Sequence, residues 1–255
     1  MKAMIFAAGL GTRLKPLTDT MPKALVPLAG KSLLAWQVEK LRDAGIRDII
    51  VNVHHFPDMI IDAIRRNDAW GCNIMISEER DELLDTGGGL KKAVSGERLV
   101  VSGEPILACN VDILSNIDIR ALVTEYERTG ISQLVVSERE TQRYLCFNEE
   151  GNLCGWTNKK TGEAKPENIK YQISNFKLLA FSGMQILGPE VLARLKELQE
   201  SKFSLISFYL DAMKAVPLKA YIPEGYMMMD VGKIEQIDSA EHFAEQIMCT
   251  KKEKK

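Results

Sequence analysis

The chain has 255 residues, 45% hydrophobic and 27% charged, which is enough apolar material to bury a full core. Its 33 basic and 35 acidic residues give a formal charge of −2 and are spread along the chain. That spread excludes a basic stripe for a nucleic-acid backbone, so an anionic substrate must be gripped locally. The opening run MKAMIFAAG meets Gly9 too early for a signal peptide, and no apolar run approaches bilayer length. The expectation is a cytoplasmic protein with neither membrane nor nucleic acid as a partner.

Short apolar runs alternate with segments of helical period, the pattern of βαβ units around a mostly parallel sheet covered on both faces. Residues 3–8 read as the first strand, followed by a Gly- and Pro-punctuated loop to Gly30 and a helix over 32–44 that stops at Gly45. A strand at 49–53, a helix at 58–67, a strand at 73–77, a helix opening at 88–94 and a buried strand at 106–110 follow. Beyond Asp112 the spacing predicts a helix over 117–128, a strand over 133–137 and a hairpin over 144–156 turning at Glu150-Gly151-Asn152. Residues 158–168 read as a turn-rich excursion, 177–186 as a strand, 189–200 and 205–215 as helices, 218–222 as a strand and 234–248 as an amphipathic helix. Residues 251–255 form a charged, solvated tail. The five cysteines have no C-x-x-C pairing and read as free thiols, and alternation points His54 and His55 to opposite faces.

The first strand runs into Ala7-Ala8-Gly9-Leu10-Gly11-Thr12-Arg13, followed by Pro22-Lys23. A dinucleotide fingerprint starting at Gly9 needs glycine at position 14, which is Leu14, and a P-loop ending at Lys31-Ser32 needs glycine at position 25, which is Leu25. What remains is a strand end with two glycines that admit an anion to backbone N–H groups, then Arg13 with a fork of donors suited to phosphate. Lys23 lies between two prolines that limit backbone freedom and can aim its ammonium inward. A Gly-rich turn with solvated Arg and Lys is the alternative.

From Ala7 to Leu34 the chain strongly resembles the sugar-1-phosphate nucleotidyltransferase (sugar-nucleotide pyrophosphorylase) family, whose signature reads G-x-G-T-R-x-x-P-L-T and then P-K-x-x-x-P-x-x-G-x-x-x-L. The resemblance implies a Rossmann-like three-layer α/β sandwich with a mixed, mostly parallel central sheet. It implies a single domain over 1–250, with a nucleotide-binding half at 1–112 and an acceptor-binding half at 113–230. Ala8, Gly9, Gly11, Thr12 and Arg13 then wrap the nucleotide phosphates, and Lys23 contacts the reacting phosphate. Asp85-Thr86-Gly87-Gly88-Gly89 looks like the family's base-contacting loop, with Gly87 and Gly88 letting backbone amides meet the nucleoside; a helix-entry turn is the alternative.

Asp112 follows the buried strand at 106–110, where a carboxylate faces the ligand crevice, and Asp230 follows the Met227-Met228-Met229 run. Two such carboxylates suit Mg²⁺, which prefers hard oxygen ligands and keeps positions for phosphate and water, although each Asp alone also fits a helix cap. The family's metal-binding aspartates occupy the corresponding positions. Asn110, Ser182, Gly183 and, more loosely, Lys165 resemble the family's sugar-side residues. The chain departs from the pattern at Val111, where glycine is usual, and at Lys233, where threonine is common. Within the family the segments are similar to N-acetylmuramate-1-phosphate uridylyltransferases. Alternatives are mannose- or heptose-1-phosphate guanylyltransferases, cytidylyltransferases acting on a non-sugar phosphate, or a catalytically silent nucleotide-binding regulator. The implied partners are a nucleoside triphosphate and a sugar 1-phosphate, and the oligomeric state is not legible.

Overall fold

The computed structural model describes residues 1–96 and 103–253. The first half contains β1 (Lys2–Phe6), a two-rung ribbon of β2 (Pro27–Leu28) and β3 (Lys31–Ser32), α1 (Leu33–Asp43), β4 (Asp48–Val53), α2 (Pro57–Arg66), β5 (Asn73–Glu78) and α3 (Asp85–Ser95). There follow β6 (Ile106–Asn110), β7 (Ile113–Ser115), α4 (Ile119–Thr129), β8 (Ser132–Ser137), β9 (Arg143–Phe147), β10 (Leu153–Asn158) and β11 (Glu163–Lys165). The chain closes with β12 (Lys177–Leu187), α5 (Pro189–Glu197), α6 (Leu205–Ala212), β13 (Leu218–Tyr221), β14 (Met228–Asp230) and α7 (Ile237–Glu253).

Strands β5, β4, β1 and β6 lie side by side and parallel. Strand β12 then runs antiparallel to β6 on one side and to β8 on the other, and β13 pairs parallel to β8. The first residues of β12 pair instead with β9, which carries β10 and β11 in an antiparallel extension. This switch of partner needs a bend. The register of β12 against β8 slips between Phe181 and Gln185, and Gly183 within that gap has φ 68°, a left-handed conformation that a residue with a Cβ seldom adopts.

Alternation along the strands feeds two cores. Ala3, Ile5, Ile49, Val51 and Leu107 face the side covered by α1, α2, α4 and α7, whereas Met4, Phe6, Ile50, Ala108 and Leu134 face the side covered by α3, α5 and α6. The result is the three-layer mixed sandwich that the pattern implied. Because β4 and β6 leave β1 on opposite sides, a crevice opens at the carboxyl ends of β1 and β6, where α/β sheets bind ligands.

Several boundaries differ from the sequence reading. Strand β1 ends at Phe6, because the chain must leave the sheet to turn at Gly11. The expected helix start at 88 lies at Asp85, so the glycine run is helical. The excursion at 158–168 contains β11, which returns against β10 after Gly162 turns the chain at φ 72°. The helices expected over 189–200 and 205–215 end at Glu197 and Ala212, and the one expected over 234–248 begins at Ile237 after a 3-10 turn. The 251–255 tail is helical to Glu253, and its last two positions lie outside the described residues.

Candidate active site

At the carboxyl end of β1, Ala7 and Ala8 stay buried and Gly9 and Leu10 emerge. Gly11 then turns the chain at φ 65° into the 3-10 turn Thr12–Leu14, whose Leu14 is fully buried as an anchor. A Cβ on Gly11 would stand 2.8 Å from Thr18 Cγ2 and 3.0 Å from Lys23 Cβ, so only glycine lets this loop lie on the segment that carries Lys23. Thr18 seals the contact, its hydroxyl donating to the Gly11 carbonyl at 2.8 Å.

Lys23 begins the 3-10 turn Lys23–Leu25 behind Pro22 and is buried, with its ammonium paired to the Asp112 carboxylate. Asp112 stands just beyond β6. The Val111 N–H donates to the Phe6 carbonyl at 3.2 Å, which ties this end of β6 to β1. Val111, the position that departs from the family pattern, points its side chain into the core.

Asp230 arrives from the far end of the chain. Strands β7 and β14 pair antiparallel with Asp230 opposite Ile113, and the Val231 N–H donates to the Asp112 carbonyl at 2.8 Å. The two aspartates therefore meet at one end of a small ribbon. Asp230 opens to solvent, yet the protein around it partly desolvates the carboxyl, and that burial, with the negative charge of Asp112, pushes its pKa above the usual carboxylate value. Lys23, Arg13 and Arg139 oppose the rise. Arg13 lies beside Asp230, for a Cβ on Gly232 would come within 2.6 Å of Asp230 Oδ1 and 2.9 Å of Arg13 Nη2.

The Asp112 charge raises the cost of ionising Asp230, and a divalent cation beside the two carboxylates would relieve that cost. Among the described residues no group of three or more His, Cys, Asp or Glu side chains is arranged to hold a metal ion, so the protein would supply two hard oxygen ligands and leave the rest to phosphate and water. That donor set fits Mg²⁺.

The crevice continues from these groups as a cleft of about 330 Å³. Ala7, Ala8, Gly9, Lys23, Asn110 and Asp112 line one wall, and Leu83, Asp85, Thr86 and Lys202 contribute the other. Gly87 and Gly88 stand behind that second wall. Their N–H groups donate to the Phe203 carbonyl at 2.9 and 3.2 Å, and a Cβ on Gly88 would sit 2.0 Å from the Ser201 carbonyl oxygen. The close approach that these glycines allow is to the chain's own segment at 201–203.

Asn110 and Gly183 are neighbours, since a Cβ on Gly183 would lie 2.9 Å from Asn110 Nδ2. Ser182 is fully buried beside the Tyr226 phenol. Lys165 is not brought to this cluster. It is exposed on β11, paired with Glu163 at 3.2 Å, and absent from the cleft lining. Lys233 is also exposed. His54 and His55 contact different partners, the carbonyls of Glu79 and Thr18.

Three residues escaped the sequence reading. Arg139 donates to the Phe181 carbonyl at 3.1 Å and acts electrostatically on both Asp230 and Tyr226. It sits in a polar connection with no motif. Asn52, a buried amide at the floor of the cleft, and Glu79, buried behind it, are the other two. A signal for Asn52 existed, since an amide inside the apolar run at 49–53 must find a partner when the strand is covered on both faces.

The nucleotidyl transferase family model matches residues 2–247. An N-acetylmuramate α-1-phosphate uridylyltransferase of Caulobacter vibrioides is 32% identical over 89% of this chain and 90% of its own length. A mannose-1-phosphate guanyltransferase of Emericella nidulans is 30% identical over 91% of this chain and 61% of its own length. Among solved structures, a putative glucose-1-phosphate thymidylyltransferase of Bacillus anthracis superposes with a TM-score of 0.78 at 18% identity, covering 96% of this chain and 95% of that one.

Proposed function

We infer that the chain, which belongs to the nucleotidyl transferase family and is by class a sugar-1-phosphate nucleotidyltransferase, transfers a uridylyl group from UTP to a sugar 1-phosphate with Mg²⁺ held by Asp112 and Asp230. The observation that carries this reading is the convergence of Asp112, Asp230, Lys23 and Arg13 at the mouth of the β1–β6 crevice. Residues 1–112 are the nucleotide half and 113–230 the acceptor half. UTP is favoured by the uridylyltransferase similar over nearly the whole of both chains, and N-acetylmuramate 1-phosphate is the first acceptor to try. The guanyltransferase relative makes GTP the second reading.

In this mechanism Gly9 and Gly11 let backbone N–H groups approach the triphosphate, and Arg13, an exposed guanidinium at the lip, holds the departing pyrophosphate. Lys23, aimed by its ion pair with Asp112, neutralises charge on the α-phosphoryl oxygens. Bound Mg²⁺ supplies further charge neutralisation on the phosphates. An oxygen of the sugar phosphate attacks the α-phosphorus in line, a new P–O bond forms, and the bond to the β-phosphate breaks to release pyrophosphate. The attacking phosphate monoester is already ionised near neutral pH, so the site needs no general base. Arg139 and Asn110 face the acceptor side, where Arg139 offsets the negative charge of the incoming phosphate. Among the described residues no helix is long and apolar enough to cross a membrane, and a cytoplasmic role suits these substrates.

The test crosses UTP, GTP, CTP and dTTP with N-acetylmuramate, mannose and glucose 1-phosphates in Mg²⁺ and measures pyrophosphate release. Release highest with UTP supports the reading. Nucleotide binding without turnover for any pair would identify a silent regulator instead.

A further inference from the structure

At the floor of the cleft, where Asn52 is part of the lining, a chain of hydrogen bonds joins its two walls. The Ala7 N–H, at the exit of β1, donates to Asn52 Oδ1 at 2.8 Å. Asn52 Nδ2 donates to Glu79 Oε1 at 2.7 Å, and Glu79 Oε2 accepts from the Leu84 N–H at 3.1 Å. Asn52 is 3% exposed and Glu79 1% exposed. Gly89 makes room for the pair, because a Cβ there would stand 2.7 Å from Glu79 Oε1 and 2.9 Å from Asn52 Nδ2.

The order of donors and acceptors is fixed at both ends by backbone N–H groups. Asn52 must turn its oxygen toward Ala7, which leaves its amino group for Glu79, and Glu79 must accept at both oxygens. Glu79 then has its carboxylate committed to the protein. The two ends of the chain sit beside Ala7 and Ala8 on the phosphate-side wall and beside Leu83, Asp85 and Thr86 on the opposite wall.

We propose that Asn52 and Glu79 are positioning residues for nucleotide binding, a buried polar strut that sets the spacing between the β1 exit loop and the wall at 83–86. The inference rests on the nucleotide-site reading above. The strut joins the two walls at the floor of the cleft where Asn52 lines it, so it acts on the triphosphate and leaves the KM for sugar phosphate unchanged.

The polarity of the strut supplies its own test. In Glu79→Gln one carboxylate oxygen becomes an amino group facing another donor, so one hydrogen bond is lost whichever way the amide turns. The double variant Asn52→Asp/Glu79→Gln reverses the middle link. The new carboxylate at position 52 accepts from the Ala7 N–H and from the new amide's amino group at position 79, whose carbonyl accepts from the Leu84 N–H. All three hydrogen bonds and the net charge return.

Wild type is first titrated calorimetrically with UTP and with GTP in Mg²⁺; binding of neither overturns the nucleotide-site reading itself. Given binding, Glu79→Gln should weaken nucleotide affinity and raise the nucleotide KM about tenfold, as expected for one buried donor left unpaired, with the KM for sugar phosphate unchanged. The double variant should return to within about twofold of wild type. A Glu79→Gln variant that loses thermal stability but binds nucleotide as wild type does would reduce the pair to a structural role and overturn the proposal. A double variant that stays as weak as Glu79→Gln, or fails to fold, would overturn it too, because the hydrogen bonds are restored in it and the carboxylate itself would then be what matters.

Discussion

Gly232→Ala separates the chemistry from the fold. Gly232 has no left-handed φ, so alanine fits its backbone. The new methyl would stand 2.6 Å from Asp230 Oδ1, where ordinary contact begins at 3.4 Å, and 2.9 Å from Arg13 Nη2. Both obstructions are ends of exposed side chains, which can swing into solvent without moving the backbone. Asp230 must therefore retreat by about 0.8 Å from its place beside Asp112, and a misplacement near 1 Å at a reacting centre costs up to ~10²-fold. We expect kcat for pyrophosphate release to fall about 10- to 100-fold and the Mg²⁺ midpoint to rise. Thermal unfolding should stay within about 4 °C of wild type, since the removed glycine entropy offsets minor crowding. Continuous phosphate-coupled detection of pyrophosphate, with Mg²⁺ titrated at saturating substrates, reads both quantities. A variant with wild-type kcat and Mg²⁺ midpoint would refute the placement of Asp230 and Arg13 around Gly232.

Gly88→Ala should behave in the opposite way, because its Cβ meets the backbone oxygen of Ser201 at 2.0 Å and backbone cannot swing aside. We expect a loss of about 1–3 kcal/mol by urea denaturation, and an unchanged midpoint would show that the 201–203 segment does not press on α3. Alkaline stability depends on Cys109, whose thiol is pushed up by burial to about 12 from an ordinary 9.0. Between those values the unfolded chain ionises there while the native chain does not, so the unfolded state binds fewer protons and stability falls as pH rises. Cys109→Ala should remove about 1.4 kcal/mol per pH unit from that fall between about pH 9.5 and 11, and identical slopes in urea titrations would contradict the burial of this thiol.

The parts of the site that one local stretch encodes were legible before folding. The β1 strand, the turn at Gly11 and the loop to Lys23 follow from alternation, glycine and proline. Asp112 was legible because it ends an apolar run whose exit must face the crevice. Its meeting with Asp230 was not derivable from local pattern, since β7 and β14 are three-residue strands too short to alternate, and their pairing depends on tertiary contact. The glycine run at 87–89 was open to misreading for the same reason. Glycine disfavours a helix locally, but here Phe203, Ser201 and Glu79 crowd the helix so closely that no side chain fits. Glu79 carries no sequence mark at all, because it lies among other charged residues at 78–82 and only the fold buries it.

Pyrophosphate release measured against Mg²⁺ concentration in wild type and Asp112→Asn decides whether Asp112 and Asp230 form one metal site serving nucleotidyl transfer. Wild type should show saturable dependence on Mg²⁺ and lose activity with excess chelator. Asp112→Asn removes a charged ligand and leaves Lys23 without its counter-ion, so its rate should fall at least ~10²-fold at every Mg²⁺ concentration while thermal unfolding still reports a folded protein. Wild-type release by folded Asp112→Asn, or release from wild type that persists in chelator, would contradict the assignment.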